Sequence, residues 1–288
     1  MLNRPTLNLL GKLARRYSQN AKDYELVVEY LKGDHVGIAV IGMNRPEQKN
    51  ALSIRLLEDL NKAVDELIFE NVARVLVLRS FVPGSFCAGA DLKERAVMTP
   101  KEVQNAVRNI RSFVNKMVNV PFPVLTALDG VALGGGLEIA LATDIRVATT
   151  NTKLGLVETK LAIMPGAGGT QLLPRLLNPS VAKELIFTAK ILNGKQAKEL
   201  GLVNHVVEQN KNGDAAYLKS LEIAEEILPN GPLGIKMAKQ AINKGVEVDF
   251  STGLAIEEAC YSQLIPTKDR TEGLEAFKEK RRPVYLGH

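Results

Sequence analysis

Two acids and three glycine-bearing loops carry the chemistry open to this chain. In Asp129-Gly130-Val131-Ala132-Leu133-Gly134-Gly135-Gly136-Leu137-Glu138, a tight Asp-Gly turn runs into three glycines and the start of a helix. Glycines there let a ligand oxygen approach the backbone, and the unpaired N–H groups of a first helical turn point at it as donors. Glu138 follows Gly135 by about one helical turn, so its carboxylate can work beside the oxygen those donors hold. The same residues also suit a helix packed tightly on a sheet, with Glu138 solvated in a first turn where an acid suits the dipole. A dinucleotide site fits worse, because the spacing is not G-x-G-x-x-G, and the chain has no Walker A loop or G-x-S-x-G elbow. The other two loops are Cys87–Lys93 (CAGADLK) and Gly155–Thr170 (GLVETKLAIMPGAGGT), which contains Glu158.

The elements that must position these loops read as alternating strand and helix. Tyr24–Tyr30 and Val36–Ile41 form a hairpin around Gly33-Asp34. Ser53 caps a helix with Ile54, Leu57, Leu60, Val64, Leu67 and Ile68 at helical spacing. Arg74–Ser80 is a strand, and Thr99-Pro100-Lys101-Glu102 opens a helix with a capping box. Pro123–Leu128 and Asp144–Ala148 are strands, Gly168-Gly169-Thr170 opens a helix, and His205-Val206-Val207 is a last short strand. This order implies parallel strands with helical crossovers, whose loops gather the chemistry. Beyond Asp214 only helices remain, with Asp214, Ser251 and Thr267 as caps. The chain therefore divides into a segment 1–22, an α/β core over 23–213 and a helical region over 214–288, which is either a small bundle or an arm packing on another subunit.

At 288 residues and 45% hydrophobic content the chain can bury a full core, and no run approaches the roughly 20 apolar residues of a membrane span. Two cysteines, Cys87 and Cys260, make no disulfide framework and have no metal spacing around them. The net charge of +5 points away from a nucleic-acid surface, because residues 1–22 hold Arg4, Lys12, Arg15, Arg16 and Lys22 with no acid, leaving the remainder balanced. Such a segment, with scattered leucines, reads as a mitochondrial transit peptide or as a disordered basic tail. Arg15-Arg16-Tyr17-Ser18 looks like a processing site with cleavage after Tyr17.

Taken in order, the three loops resemble those of the enoyl-CoA hydratase/isomerase (crotonase) superfamily from about Tyr24 to the C-terminus. The resemblance implies a crotonase-like spiral of ββα repeats with a C-terminal helical region, assembled as a homotrimer or homohexamer; the transit-like segment points to the mitochondrial matrix. It implies an acyl-CoA thioester substrate and no separate cofactor or metal, coenzyme A entering with the substrate. Ala90 and Gly135 would supply the oxyanion-hole amides, and Glu138 and Glu158 would handle water and protons. Lys49, Ala51, Ala88, Gly89, Ala90, Asp91, Leu92, Lys93, Gly134 and Gly135 would line the path of coenzyme A and substrate. We assign the water to Glu138 and the proton delivery to Glu158, roles the sequence leaves exchangeable. Relatives that only shift a double bond commonly lack the acid matching Glu138, so keeping both favours hydration over isomerisation.

Within the superfamily, Cys87–Arg95 (CAGADLKER), Gly155–Pro165 (GLVETKLAIMP), Glu208–Tyr217 (EQNKNGDAAY) and Ala255–Arg281 resemble the branch that hydrates 3-methylglutaconyl-CoA in leucine breakdown. A broad-range short-chain enoyl-CoA hydratase is the nearest alternative. Leu172 departs from the arginine that relatives usually place after Gly-Gly-Thr-Gln, which leaves the choice of substrate open. The branch is also associated with AU-rich RNA binding through a lysine-rich helix. The matching segment here, Lys49–Ala63, sets Lys49, Arg55 and Lys62 against Glu58 and Asp59 and lacks the basic stripe that phosphates require. Leu56, Leu57, Leu60 and Ala63 read as an ordinary core face. His35, His205 and His288 fall outside the motifs, and Asp144 reads as a brace for the inner sheet.

Overall fold

A computed structural model describes residues 25–288, so the transit-like segment 1–22 lies outside the described residues. The hairpin comes first, with β1 (Leu26–Tyr30) antiparallel to β2 (Ile38–Met43). Helix α1 (Ile54–Glu70) starts where the Ser53 side chain accepts the Leu56 amide, and it buries Leu56, Leu57, Leu60 and Ala63. Arg55 pairs with Asp59 at 4.0 Å on the outer face, so α1 presents mixed charge to solvent.

From here one unit repeats three times: a long strand, a short strand, then helix. The first turn is β3 (Val75–Ser80), β4 (Ser85–Cys87), the single-turn α2 (Leu92–Arg95) and α3 (Pro100–Val118), which opens with the expected Thr99–Glu102 capping box. The second is β5 (Val124–Leu128), β6 (Val131–Leu133) and α4 (Gly135–Leu141). The third is β7 (Ile145–Thr149), β8 (Leu154–Gly155), a 3-10 turn at Glu158–Leu161 and α5 (Gly169–Leu176). Helices α6 (Pro179–Phe187) and α7 (Gly194–Glu199) then lead to β9 (His205–Val207). The chain finishes with α8 (Ala215–Ile227), α9 (Pro232–Gly245), α10 (Phe250–Ser262) and α11 (Lys268–Glu279).

The long strands form a six-stranded sheet ordered β1-β2-β3-β5-β7-β9, parallel beyond the first pair. Both its faces are covered, which is why its strands read as continuous apolar runs. Leu76, Leu78, Val124 and Leu128 enter the larger core under α1 and α3, while Val75, Val77, Leu125 and Ala127 enter a second core with Ala216, Ile223 and Ala224 of α8. Helix α8, which opens the 214–288 region, is therefore a layer of the sheet's own core.

Two caps differ from expectation. The Asp214 carboxylate is taken by Asn210, whose Nδ2 donates to it at 2.7 Å. Asp129 caps α8 instead, accepting the Ala216 and Tyr217 amides at 2.8 and 3.1 Å from across the fold. Helix α10 is capped by Asp249, not Ser251, because Asp249 is the extended residue whose side chain reaches the Thr252 amide. Asp144 braces the sheet as expected, accepting the Val124 amide and the Lys239 ammonium, each at 2.7 Å. Cys87 and Cys260 are both buried free thiols, and burial pushes the Cys87 thiol up to about 12.

Candidate active site

The short strands form a second, three-stranded parallel sheet ordered β4-β6-β8. Cys87 stands opposite Ala132, and Leu133 opposite Gly155. Parallel pairing sends the three following loops out of one end of this sheet, so residues two or three positions beyond each strand become neighbours. Ala90 follows β4, Gly135 and Glu138 follow β6, and Glu158 follows β8. A bond from the Gly134 amide to the Gly155 carbonyl at 2.9 Å continues the last pairing.

The Ala90 amide is freed by its own pairing. Leu52 donates to the Gly89 carbonyl at 2.7 Å and accepts the Asp91 amide at 3.2 Å, an isolated parallel bridge that turns the Ala90 N–H to the opposite edge. Gly135 begins α4, so its amide has no partner within the helix. A Cβ on Gly135 would stand 3.8 Å from the Ala90 nitrogen and 3.9 Å from Glu138 Oε2, so its α-carbon faces the space between them. Gly89 makes the approach possible: its φ is +96°, and a Cβ there would meet the Leu133 carbonyl oxygen at 2.9 Å.

Glu138 is buried, and its Oε1 accepts two amides from the third loop, Ala167 at 2.9 Å and Gly169 at 2.8 Å. Burial raises its pKa, and these two bonds and the charges of Arg111 and Arg95 oppose that rise without cancelling it. Arg111 of α3 fixes the loop by donating twice to the Gly166 carbonyl, at 3.0 and 2.8 Å. Oε2 of Glu138 is left to face Gly135.

Glu158 closes the opposite side. A Cβ on Gly134 would sit 3.2 Å from Glu158 Oε1, so the carboxyl lies over the glycine turn. Its Oε2 is buried and has no hydrogen-bond partner. Burial pushes this carboxyl up to about 7, its own amide opposing and the charge of Glu138 adding to the rise. The pair can therefore hold one ionised and one protonated carboxyl near neutral pH, beside the space that the Ala90 and Gly135 amides border.

The residues proposed from the resemblance to line the coenzyme A path divide into two sets. Lys49, Ala88, Leu92 and Lys93 are exposed, and the Ala88 amide ties their two loops together by donating to the Lys49 carbonyl at 3.1 Å. Ala51, Gly89 and Asp91 are buried. The Asp91 carboxylate is turned inward, bonded to the Lys93 and Glu94 amides and to Arg45 Nη1 at 2.7 Å, so it holds the loops rather than facing the path. Sequence reasoning missed Arg95, Arg111 and the Ala167 and Gly169 amides. All but Arg111 lie inside motifs already marked, at Cys87–Arg95 and Gly155–Thr170, so those motifs carried the signal.

Three turns of ββα with these loops at one end define a crotonase-type spiral, and the chain belongs to the enoyl-CoA hydratase/isomerase family, whose model matches residues 33–288. Among individual proteins, it is 58% identical over 274 residues to the human mitochondrial methylglutaconyl-CoA hydratase, covering 95% of this chain and 81% of that one. The mouse mitochondrial enoyl-CoA hydratase domain-containing protein 2 is 51% identical over 91% of this chain and 89% of its own. The crystal structure of an enoyl-CoA hydratase from Bacillus anthracis superposes with a TM-score of 0.87 at 46% identity, covering 92% of this chain and all of that one.

Proposed function

We propose that this chain is a hydro-lyase that adds water across the double bond of an α,β-unsaturated acyl-CoA, with 3-methylglutaconyl-CoA of leucine breakdown as its substrate. The observation that carries this reading is the convergence of two unlike carboxyls on two open amides at Ala90 and Gly135. The thioester oxygen sits between those amides, which stabilise the charge it gains as an enolate forms. Each such donor contributes about 2.7–4 kcal/mol to lowering the barrier. Glu138, anchored through Oε1, takes a proton from water with its free oxygen as the water oxygen bonds to the β-carbon. Glu158, held protonated by burial, delivers its proton to the α-carbon, and the proton gained by Glu138 restores it through solvent. Coenzyme A arrives as part of the substrate, with the exposed Lys49 or Lys93 meeting its phosphates.

The methylglutaconyl preference is supported by the identity to hydratases bearing that name, and a mitochondrial matrix location by those names together with the basic segment 1–22. Assembly as a homotrimer or homohexamer is supported by apolar side chains exposed on α10 and α11, among them Phe250 at 81% and Phe277 at 86%. The test is hydration of 3-methylglutaconyl-CoA beside crotonyl-CoA by the full chain. Strong preference for the methylglutaconyl thioester is expected. Preference for crotonyl-CoA would make it a general short-chain hydratase, and turnover of neither would overturn the mechanism.

A further inference from the structure

The direction of the Ala90 N–H is set from outside its own loop. A trans peptide points its N–H opposite to its C=O, and the Gly89 carbonyl is drawn to the Leu52 amide at 2.7 Å, so the Ala90 N–H is only as well aimed as Leu52 is well held. Two further contacts clamp that bridge, and both end on one nitrogen. Arg45 Nη1 donates to the Ala51 carbonyl at 2.8 Å, on the residue before Leu52, and to Asp91 Oδ2 at 2.7 Å, on the residue after Ala90. Its Nε meets Glu25 Oε1 at 3.1 Å, so a third partner fixes the guanidinium plane. The root of the side chain is fixed as well: the Arg45 amide donates to Asn50 Oδ1 at 2.7 Å, and the buried Asn50 donates onward to Ser80 Oγ and the Phe86 carbonyl. Lys49 and Asn50 hold left-handed backbone, φ +50° and +55°, which non-glycine residues keep only where their surroundings over-determine it. Leu52 packs in turn on Gly135, its Cδ1 3.1 Å from where a Cβ there would stand, so both amides of the site lean on this bridge.

We propose that Arg45 is a positioning residue for the hydration: by pinching the Ala51 carbonyl to the Asp91 carboxylate it keeps the Leu52–Ala90 bridge in register and so aims the Ala90 amide at the thioester oxygen. The inference rests on the proposed hydratase reading and deepens it. The three side-chain bonds of Arg45 all end on protein oxygens, so it acts through Ala90 and not on the substrate. Asp91 is the ionised half of the clamp. Burial works to raise its pKa, and the bonds from Arg45 and the Glu94 amide outweigh that, leaving the carboxyl below its ordinary value. Its Oδ1 accepts the Lys93 and Glu94 amides, so the same carboxylate also fixes the chain leaving Ala90. An oxyanion donor works by being in place before charge develops, and the ground-state carbonyl asks less of it. Loosening the clamp therefore lowers kcat more than it raises KM. A lysine keeps the charge and loses the planar fork that serves three partners at once.

The deciding experiment compares the parent with Arg45→Gln, Arg45→Lys and Asp91→Asn, the last keeping the side chain's size and removing its charge. Initial rates on 3-methylglutaconyl-CoA and crotonyl-CoA give kcat and KM. Arg45→Gln should lower kcat by about 10- to 100-fold on both thioesters, the cost of a misplacement approaching 1 Å, with KM within about threefold. Asp91→Asn should show a smaller loss of the same kind, and Arg45→Lys should recover part of the rate. The second readout needs no turnover: the infrared carbonyl stretch of butyryl-CoA, a saturated analogue, isotopically labelled at its thioester carbonyl. The frequency should fall when the parent binds it, because two amides polarise the bond, and should fall less in Arg45→Gln and Asp91→Asn. Variants that melt lower yet keep the parent's kcat and carbonyl shift would overturn the proposal and make Arg45 a structural brace. A raised KM at unchanged kcat would overturn it too, by placing Arg45 on the path of the substrate. Should Arg45→Gln not fold, Asp91→Asn decides on the same two readouts. A parent that hydrates neither thioester overturns the hydratase reading and the inference with it, whereas an active parent whose variants keep rate and shift overturns the inference alone.

Discussion

The two sheets of this protein do opposite work. The six-stranded sheet is long, apolar on both faces and closed with respect to its polar groups. Asp129 caps a distant helix, Asp144 is shared by Lys239 and a strand amide, and Arg146 is bonded to the Leu202 and Thr143 carbonyls at 2.8 and 2.6 Å. The three-stranded sheet has strands of two or three residues, and at its end polar groups are left open: Glu158 Oε2 is buried and unpartnered, and two amides face a space. One region spends its hydrogen bonds on holding the fold. The other withholds them for a ligand, and the first region makes that tolerable.

Changes to the two sheets should therefore separate cleanly. The largest effect is expected at the open end of the small sheet. Glu138→Gln and Glu158→Gln each lower kcat by roughly 10²–10⁴-fold, the range for a lost general acid or base, with the thermal melt of either variant cooperative. A variant that keeps its rate would remove that residue from the chemistry.

Next comes the large sheet. Leu125 of the central strand β5 is fully buried in the second core, and Leu125→Ala should cost about 2–5 kcal/mol in denaturant melts. The kcat of the protein that remains folded should stay within a few-fold of the parent. A large fall in that kcat would mean the sheets are coupled and the contrast is wrong.

Gly89→Ala tests the small sheet's geometry rather than its acids. The added methyl meets the Leu133 carbonyl and the backbone must hold a φ of +96°, a strain of order 1–3 kcal/mol. Relief requires β4 and β6 to separate, which pulls the Ala90 and Gly135 amides apart. We expect kcat to fall roughly 10²-fold, as for other misplacements near 1 Å, with a smaller loss of stability than Leu125→Ala. An unchanged kcat with lowered stability would make Gly89 merely structural.

The same contrast explains what the sequence disclosed. The large sheet announced itself through runs such as Val75–Leu78 and Val124–Leu128, because burial on both faces leaves an uninterrupted apolar signal. The small sheet was invisible: Val131-Ala132-Leu133 lies between an Asp-Gly turn and three glycines and reads as loop, and Leu154-Gly155 is too short for any periodicity. Yet the loops it aligns were legible, since Gly134, Gly135, Glu138 and Glu158 stand out by residue type. The cap at Asp129 could not be read, because the 87 residues separating it from Ala216 are spanned only by the fold.

The smallest effect concerns protons. In the fold Glu158 titrates near 7, whereas an unfolded glutamate titrates near 4.3. Between those values the folded state keeps a proton that the unfolded state has lost. Stability from this group is thus fully present below about pH 4.3 and falls as pH rises toward 7, beyond which the ionised carboxylate remains a constant burden. Replacing it with glutamine removes the titration, so Glu158→Gln should melt at the parent's temperature near pH 4 and a few degrees above it at pH 8. In the proposed mechanism hydration needs Glu158 protonated and Glu138 ionised, so kcat/KM should pass through a maximum and decline above about pH 7. Both limbs belong to the coupled pair, not to one residue. A melting difference that is flat with pH would show that Glu158 does not hold the proton, and the roles of the two acids would have to be exchanged.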